Sequence, residues 1–241
     1  MFIRWVAVGL IALALQPARA LDLDEVEALT HREFDRRLTS YIDSDCLVVD
    51  PGLGRSLDSV FVRLLAAAFD RYPDAMHFRW ELQLIRDDAV SAESYSDGRI
   101  LVSKAFAERY VRDDDQLAFI LGHEIGHALA RHVRSYYARA AAKTQAVGLT
   151  PALLLESVRT DMALEISLNR LARQQELEAD AIGVTLALRA GFRARGAEEV
   201  LQDFVREGDD FHAAWTHDSA ALRLETLRRA GLLGRPLAQG P

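Results

Sequence analysis

Two histidines separated by three residues, with a glutamate directly after the first, stand at His123-Glu124-Ile125-Gly126-His127. On a helix, residues four apart sit one turn above each other, so both imidazoles project from one face toward a single point. Glu124 lies one step round from His123, close enough to reach a ligand of an ion held there without being forced to bind it. This is the set a zinc hydrolase needs: two nitrogen ligands and a carboxylate beside an activated water. Gly126 and Ala128 are small and leave room for another segment to approach. The spacing alone arises by chance in on the order of one chain per hundred of this length, so the reading requires a third ligand.

Catalytic zinc keeps three protein ligands and one open position. Glu176-Leu177-Glu178-Ala179-Asp180 offers the third. Glu176 and Asp180 are four apart and share a helix face; one can bind metal while the other accepts a hydrogen bond from the far nitrogen of a ligating histidine, His123. Glu178 lies about 200° round the helix from Glu176 and has Ile182 rather than an acid one turn later, which makes it the solvated charge and Glu176 the ligand. The expectation is one Zn2+ per chain on His123, His127 and Glu176, with Asp180 behind His123 and Glu124 as general base. His132, five residues past His127, is expected at the surface, off the metal-binding face. His31, His77 and His212 have no partner pattern and read as structural or exposed.

The elements that must position these groups are mostly helical. Asp22 to Ser44 carries Val26, Leu29, Phe34, Leu38 and Ile42 at helical spacing, Pro51-Gly52-Leu53-Gly54 reads as a loop, and Ser56 to Tyr72 reads as a second helix. Phe78, Trp80, Leu82 and Leu84 alternate with polar residues as in a half-buried strand; Asp97-Gly98 is a hairpin turn, and Arg99 to Ser103 the strand leaving it. Asp113 to Gln116 resembles a capping box that starts a long helix running past His132. Further helices are expected from Pro151 to about Arg170, from Gln174 to Ala190, near Ala197 to Arg206, and from Ser219 to Ala230. The sum is a helix-dominated α+β domain with a small antiparallel sheet.

Composition bounds the rest. The chain has 241 residues, half of them hydrophobic and 27% charged, as for one globular domain with a sizeable core. Arg4, the apolar run Trp5 to Leu15, Gln16-Pro17 and Ala18-Arg19-Ala20 form the pattern of a signal peptide cleaved after Ala20, leaving 21–241 as a single domain with no integral membrane segment. The run is too short to span a bilayer comfortably. Loss of Arg4 and Arg19 leaves 27 basic against 36 acidic residues, a net charge of −9, which argues against nucleic acid as a partner. Only Lys104 and Lys143 are lysines, an arginine skew that fits a GC-rich bacterial genome and, with export, the periplasm. Cys46 is the only cysteine, so no internal disulfide forms; a small buried apolar role is expected for it.

The histidine motif, followed by Arg173-Gln174-Gln175-Glu176-Leu177-Glu178-Ala179-Asp180, resembles the HtpX/Ste-type zinc metallopeptidase family, above all its soluble periplasmic members. The likeness runs from about Ser56 to Ala230. Ser91-Ala92 and Asp97 to Val102 stand where the family has an Asn-Ala segment, a Gly-rich turn and an edge strand, and Thr216-His217-Asp218 with Arg223 resembles its Thr-His-Pro segment and following arginine. Ser91 and Asp218 depart from that pattern. The resemblance implies a zincin-like fold and an endopeptidase acting on protein or peptide substrates, misfolded or unassembled envelope proteins, with envelope proteins as partners. The resemblance is to members without a tetratricopeptide tail, and none is expected here. The resemblance also places His217 near the zinc, as a plug on the open position or as a donor to the oxyanion. Along this reading a substrate lies extended on the Ile100 to Ser103 strand. Two readings compete with it: a catalytically weak binding or chaperone-like protein on the same zinc fold, and a helical structural protein with an accidental motif.

Overall fold

The computed structural model describes residues 21–144, 148–207 and 219–234. Two antiparallel helices form its axis: α4 (Asp114–Leu129), which carries the histidine motif, and α7 (Met162–Arg189), which carries the acidic one. Around them stand α1 (Leu23–Asp43), α2 (Pro51–Arg71), a 3-10 turn (Pro73–His77), β1 (Glu81–Ile85), β2 (Ala92–Ser94), β3 (Arg99–Ser103), α3 (Lys104–Tyr110), α5 (His132–Thr144), α6 (Pro151–Thr160), α8 (Arg195–Glu207) and α9 (Ala220–Arg229).

The α4–α7 contact is made by residues without side-chain bulk. A Cβ on Gly122 would stand 2.8 Å from the Gly183 carbonyl oxygen, and one on Gly126 would stand 2.8 Å from that of Ala179. The helices therefore touch backbone to backbone, and Gly126 fills the role its size suggests. Gly183→Ala places its new carbon 2.6 Å from the His123 nitrogen, against main chain that cannot swing aside. Alanine's better helix propensity returns about 1 kcal/mol, while overpacking costs typically 1–3 kcal/mol and displaces His123 as well. The expected result is a lower melting temperature and weaker metal binding together; a variant that melts higher than wild type contradicts this packing.

Capping chemistry explains where helices begin. Asp113 accepts from the nitrogens of Asp115 and Gln116, and the Gln116 side chain reaches back to the Arg112 nitrogen, so the expected cap is present. Asp115, 7% exposed, is held by Arg193 at 2.6 Å and Arg195 at 3.0 Å, which ties the start of α4 to the α7–α8 connection. Burial works to raise Asp115, but the arginines and the Arg193 backbone donor outweigh it and hold the carboxyl below its ordinary value.

Three helix boundaries and the sheet topology differ from the sequence expectation. Pro51 to Gly54 is the first turn of α2, not a loop: Asp50 caps it, accepting from the nitrogens of Gly52 and Leu53, and proline is tolerated at the first helical position. The motif helix stops at Leu129, and Arg131 takes the left-handed conformation (φ 56°) before α5 starts at His132. The break between α6 and α7 falls at Asp161, which caps Ala163 and Leu164, rather than near residue 172. Finally, the sheet is mixed instead of antiparallel. Its order is β1-β3-β2, with β3 parallel to β1 and antiparallel to β2. The expected Asp97-Gly98 turn joins β2 to β3, with Gly98 at φ 91°, and β3 slots between its neighbours. A three-residue β2 is too short to show alternation, so its place could not be read. Cys46 is half-buried rather than buried.

The main core lies between α2, the sheet, α4 and the end of α7, around Leu64, Ile100, Val102, Leu121 and Ile125. A second cluster packs α8 and α9 against α4 through Phe119, Val200, Leu201 and Leu227. A third, around Val26, Ala140, Leu154 and Leu168, joins α1, α5, α6 and α7. The first two clusters include residues of both motif helices, and the third includes, of the two, residues of α7 alone.

Candidate metal centre

Antiparallel packing brings the two motifs face to face. His123 Nε2 lies 3.0 Å from His127 Nε2 and 3.4 Å from Glu176 Oε2, and His127 Nε2 lies 3.2 Å from Glu176 Oε1. Four donors about 2.0–2.1 Å from a zinc ion stand about 3.3 Å apart along each tetrahedron edge. The separation of the two histidine nitrogens, and the distance from each to one or other oxygen of Glu176, lie near that edge, and the donor set of two imidazoles and a carboxylate suits zinc chemically. Of the described residues, these three form the cluster able to hold a metal ion.

Asp180 stands behind His123. Its Oδ1 is 2.9 Å from His123 Nδ1, so Nδ1–H donates to the carboxylate and the Nε2 lone pair is left facing the cluster. Asp180 is fully buried, and Arg223 of α9 grips it bidentately: Nη2 donates to Oδ1 at 2.6 Å and Nε to Oδ2 at 2.7 Å. Arg223 Nη1 is also 3.4 Å from Glu176 Oε2. Burial alone pushes Asp180 up, but Arg223 and His123 outweigh it and hold the carboxyl below its ordinary value. Burial likewise works to lower Arg223, and Asp180 and Glu176 reverse it. His127 is raised in the same contest, with Glu176 outweighing burial.

Glu124, 7% exposed, faces a cleft of about 680 Å³ together with His127, Glu176 and the β2 residues Ala92 to Ser94. The far wall comes from α1, α5 and α6. Glu178 points away from the donor triangle, and its side chain is 62% exposed, as the helix angle requires.

His132 is not at the surface. It is 5% exposed, with Nδ1 3.0 Å from His127 Nδ1 and Nε2 3.4 Å from Glu178 Oε2. The expectation failed because it continued the helix, whereas the chain leaves α4 at Leu129 and folds His132 back. Burial, and then the neighbouring His127 charge, push His132 down to about 4. Sequence reasoning also missed Gln175, which donates to the His132 carbonyl at 3.0 Å and to Ser135 Oγ at 2.8 Å; only its position beside Glu176 hinted at a role. His31 is structural, 2.8 Å from Ser96 Oγ, and His77 is exposed. His212 and His217, with Thr216 and Asp218, lie outside the described residues.

The sequence profile of peptidase family M48 matches residues 54–230. The mitochondrial metalloendopeptidase OMA1 of Arabidopsis thaliana is 29% identical over 164 residues, which cover 66% of this chain and 33% of that protein. The beta-barrel assembly-enhancing protease of Escherichia coli (strain K12) is 29% identical over 175 residues, 66% of this chain and 34% of that protein. The mitochondrial metalloendopeptidase OMA1 of Schizosaccharomyces pombe is 30% identical over 161 residues, 62% of this chain and 46% of that protein. The chain spans between a third and a half of the length of these curated relatives. Among the described residues, no helix is long and apolar enough to cross a membrane.

Proposed function

The chain belongs to peptidase family M48, and from that premise we propose that it is a zinc-dependent endopeptidase with His123, His127 and Glu176 as ligands and Glu124 as general base. One observation carries the proposal: two histidine nitrogens and the Glu176 carboxylate converge at separations near the edge of a zinc tetrahedron, with a buried carboxylate beside them on the same cleft. Bound zinc supplies Lewis acidity, bringing the pKa of a water toward about 7 and polarising a carbonyl. Glu124 takes the proton of the attacking water and delivers it to the leaving amine. Asp180, kept ionised by Arg223, orients His123 and fixes its tautomer.

The substrate strand is β2, not the Ile100 to Ser103 strand expected from sequence, because β3 is paired on both sides. Ser103 donates to the Ser91 carbonyl and Tyr95 to that of Arg99, so residues 91, 93 and 95 bond inward to β3. The backbone groups of Ala92 and Ser94 then face outward, along the cleft, where an extended peptide can pair with them independently of its sequence. That supports unfolded polypeptide as substrate. The leader pattern over residues 4–20 and the likeness to a beta-barrel assembly-enhancing protease support the bacterial envelope as its place of action and envelope proteins as substrates.

The test is cleavage of a casein-like unfolded protein by the purified chain, abolished by a chelator and restored by added zinc. Zinc binding without cleavage of several unfolded substrates leaves the catalytically weak binding protein as the better account.

A further inference from the structure

His132 is buried, yet nothing in the proposed reaction uses it. The chain holds it firmly. Arg131 adopts a left-handed backbone conformation immediately before it, with its guanidinium 4.6 Å from the Phe78 ring centre, and Gln175 of α7 clamps the His132 carbonyl. The ring is thereby placed between a histidine of the donor triangle and a carboxylate outside it.

We infer that Glu178 and His132 form a two-step relay that fixes the tautomer of His127, and thereby the zinc affinity of the site. The inference rests on His127 being a ligand. Its Nε2 faces His123 Nε2 and Glu176, so an ion there requires Nε2 bare and the proton on Nδ1. The two Nδ1 atoms are 3.0 Å apart, a separation that holds one shared proton. That proton has two possible owners. If His127 owns it, His132 Nδ1 accepts, and the single proton of neutral His132 sits on Nε2, where it meets Glu178 Oε2. If His132 owns it, His127 carries its proton on Nε2, in the middle of the donor triangle, and His132 Nε2 presents a lone pair to a carboxylate. Glu178 is an acceptor only, so it selects the first arrangement. Asp180 does this for His123 directly; Glu178 does it for His127 through a second imidazole.

The relay is a positioning device, and zinc affinity reads it independently of catalysis. Zinc is titrated into metal-free wild type, His132→Leu, His132→Asn and Glu178→Ala in competition with a chromophoric chelator, and each metal-free protein is melted. His132→Leu removes the acceptor and should weaken zinc about 10–100-fold, the usual cost of losing a ligand's hydrogen-bond partner. His132→Asn puts an amide oxygen where Nδ1 was, and should stay within about threefold of wild type. Glu178→Ala, at an exposed position where water substitutes in part, should lose about threefold. The order of zinc affinities should not follow the metal-free melting temperatures. Wild-type affinity in His132→Leu, or equal losses in the leucine and asparagine variants, overturns the relay. If His132→Leu does not fold, an unchanged affinity in Glu178→Ala overturns it. A wild type that binds no zinc sinks the metal site itself, a different result.

Discussion

Glu124→Gln should retain zinc and melt with wild type while losing peptide hydrolysis by about 10²–10⁴-fold, the usual contribution of a general base. The amide has nearly the same shape and still reaches into the cleft, so packing around a residue only 7% exposed is preserved. What it lacks is the ability to take a proton. Glu124 follows His123 on α4, and the helix turn carries it off the donor triangle and onto the cleft floor beside β2. In the proposed reaction, a carboxylate so placed serves both the water and the leaving amine of a peptide paired to Ala92 and Ser94. Zinc content, melting and casein cleavage are measured on one preparation. Cleavage within tenfold of wild type, with zinc still bound, would remove Glu124 from the role of base.

Asp180→Ala should have the largest effect on stability. It leaves the Arg223 guanidinium buried without the partner that grips it at 2.6 and 2.7 Å, and breaking a buried pair from one side costs about 3–5 kcal/mol. For a domain of this size that lowers the melting temperature by roughly 10 °C. It also frees His123 Nδ1, so zinc binding should weaken by about 10–100-fold. The two losses separate in a double variant. Asp180→Ala with Arg223→Leu removes both charges and should recover much of the stability, while zinc affinity stays low because His123 still lacks its acceptor. Full recovery of zinc affinity in the double variant would mean that Asp180 serves the core alone. Acid should act in the same direction. The Asp180 carboxyl lies below its ordinary value, so its contribution is complete above the ordinary carboxylate range and is lost as pH falls through the folded value.

Much of this architecture was legible in the residues. Helical spacing located α1, α8 and α9 to within a few positions, and the four-residue intervals His123–His127 and Glu176–Asp180 put each pair on one face. What spacing could not supply was the direction of the chain after a helix ends. His132 continues the pattern of α4, and only the left-handed Arg131 reveals the turn that buries it. The α6–α7 break was misplaced for a related reason: Asp161 acts through a side-chain cap, a local contact weaker in sequence than a proline or glycine. β2 escaped because three residues carry no period, and with it went the identity of the free sheet edge. Gly183 gave no signal of its own either, since its function exists only opposite Gly122.

The central claim is that the donor triangle holds one zinc, and elemental analysis of the purified chain after equilibration with zinc and removal of excess tests it most directly. The account predicts one zinc per wild-type chain and none retained by His127→Ala, because two remaining donors do not close a site. A folded wild type that retains no zinc, or a His127→Ala variant that retains as much as wild type, would contradict it.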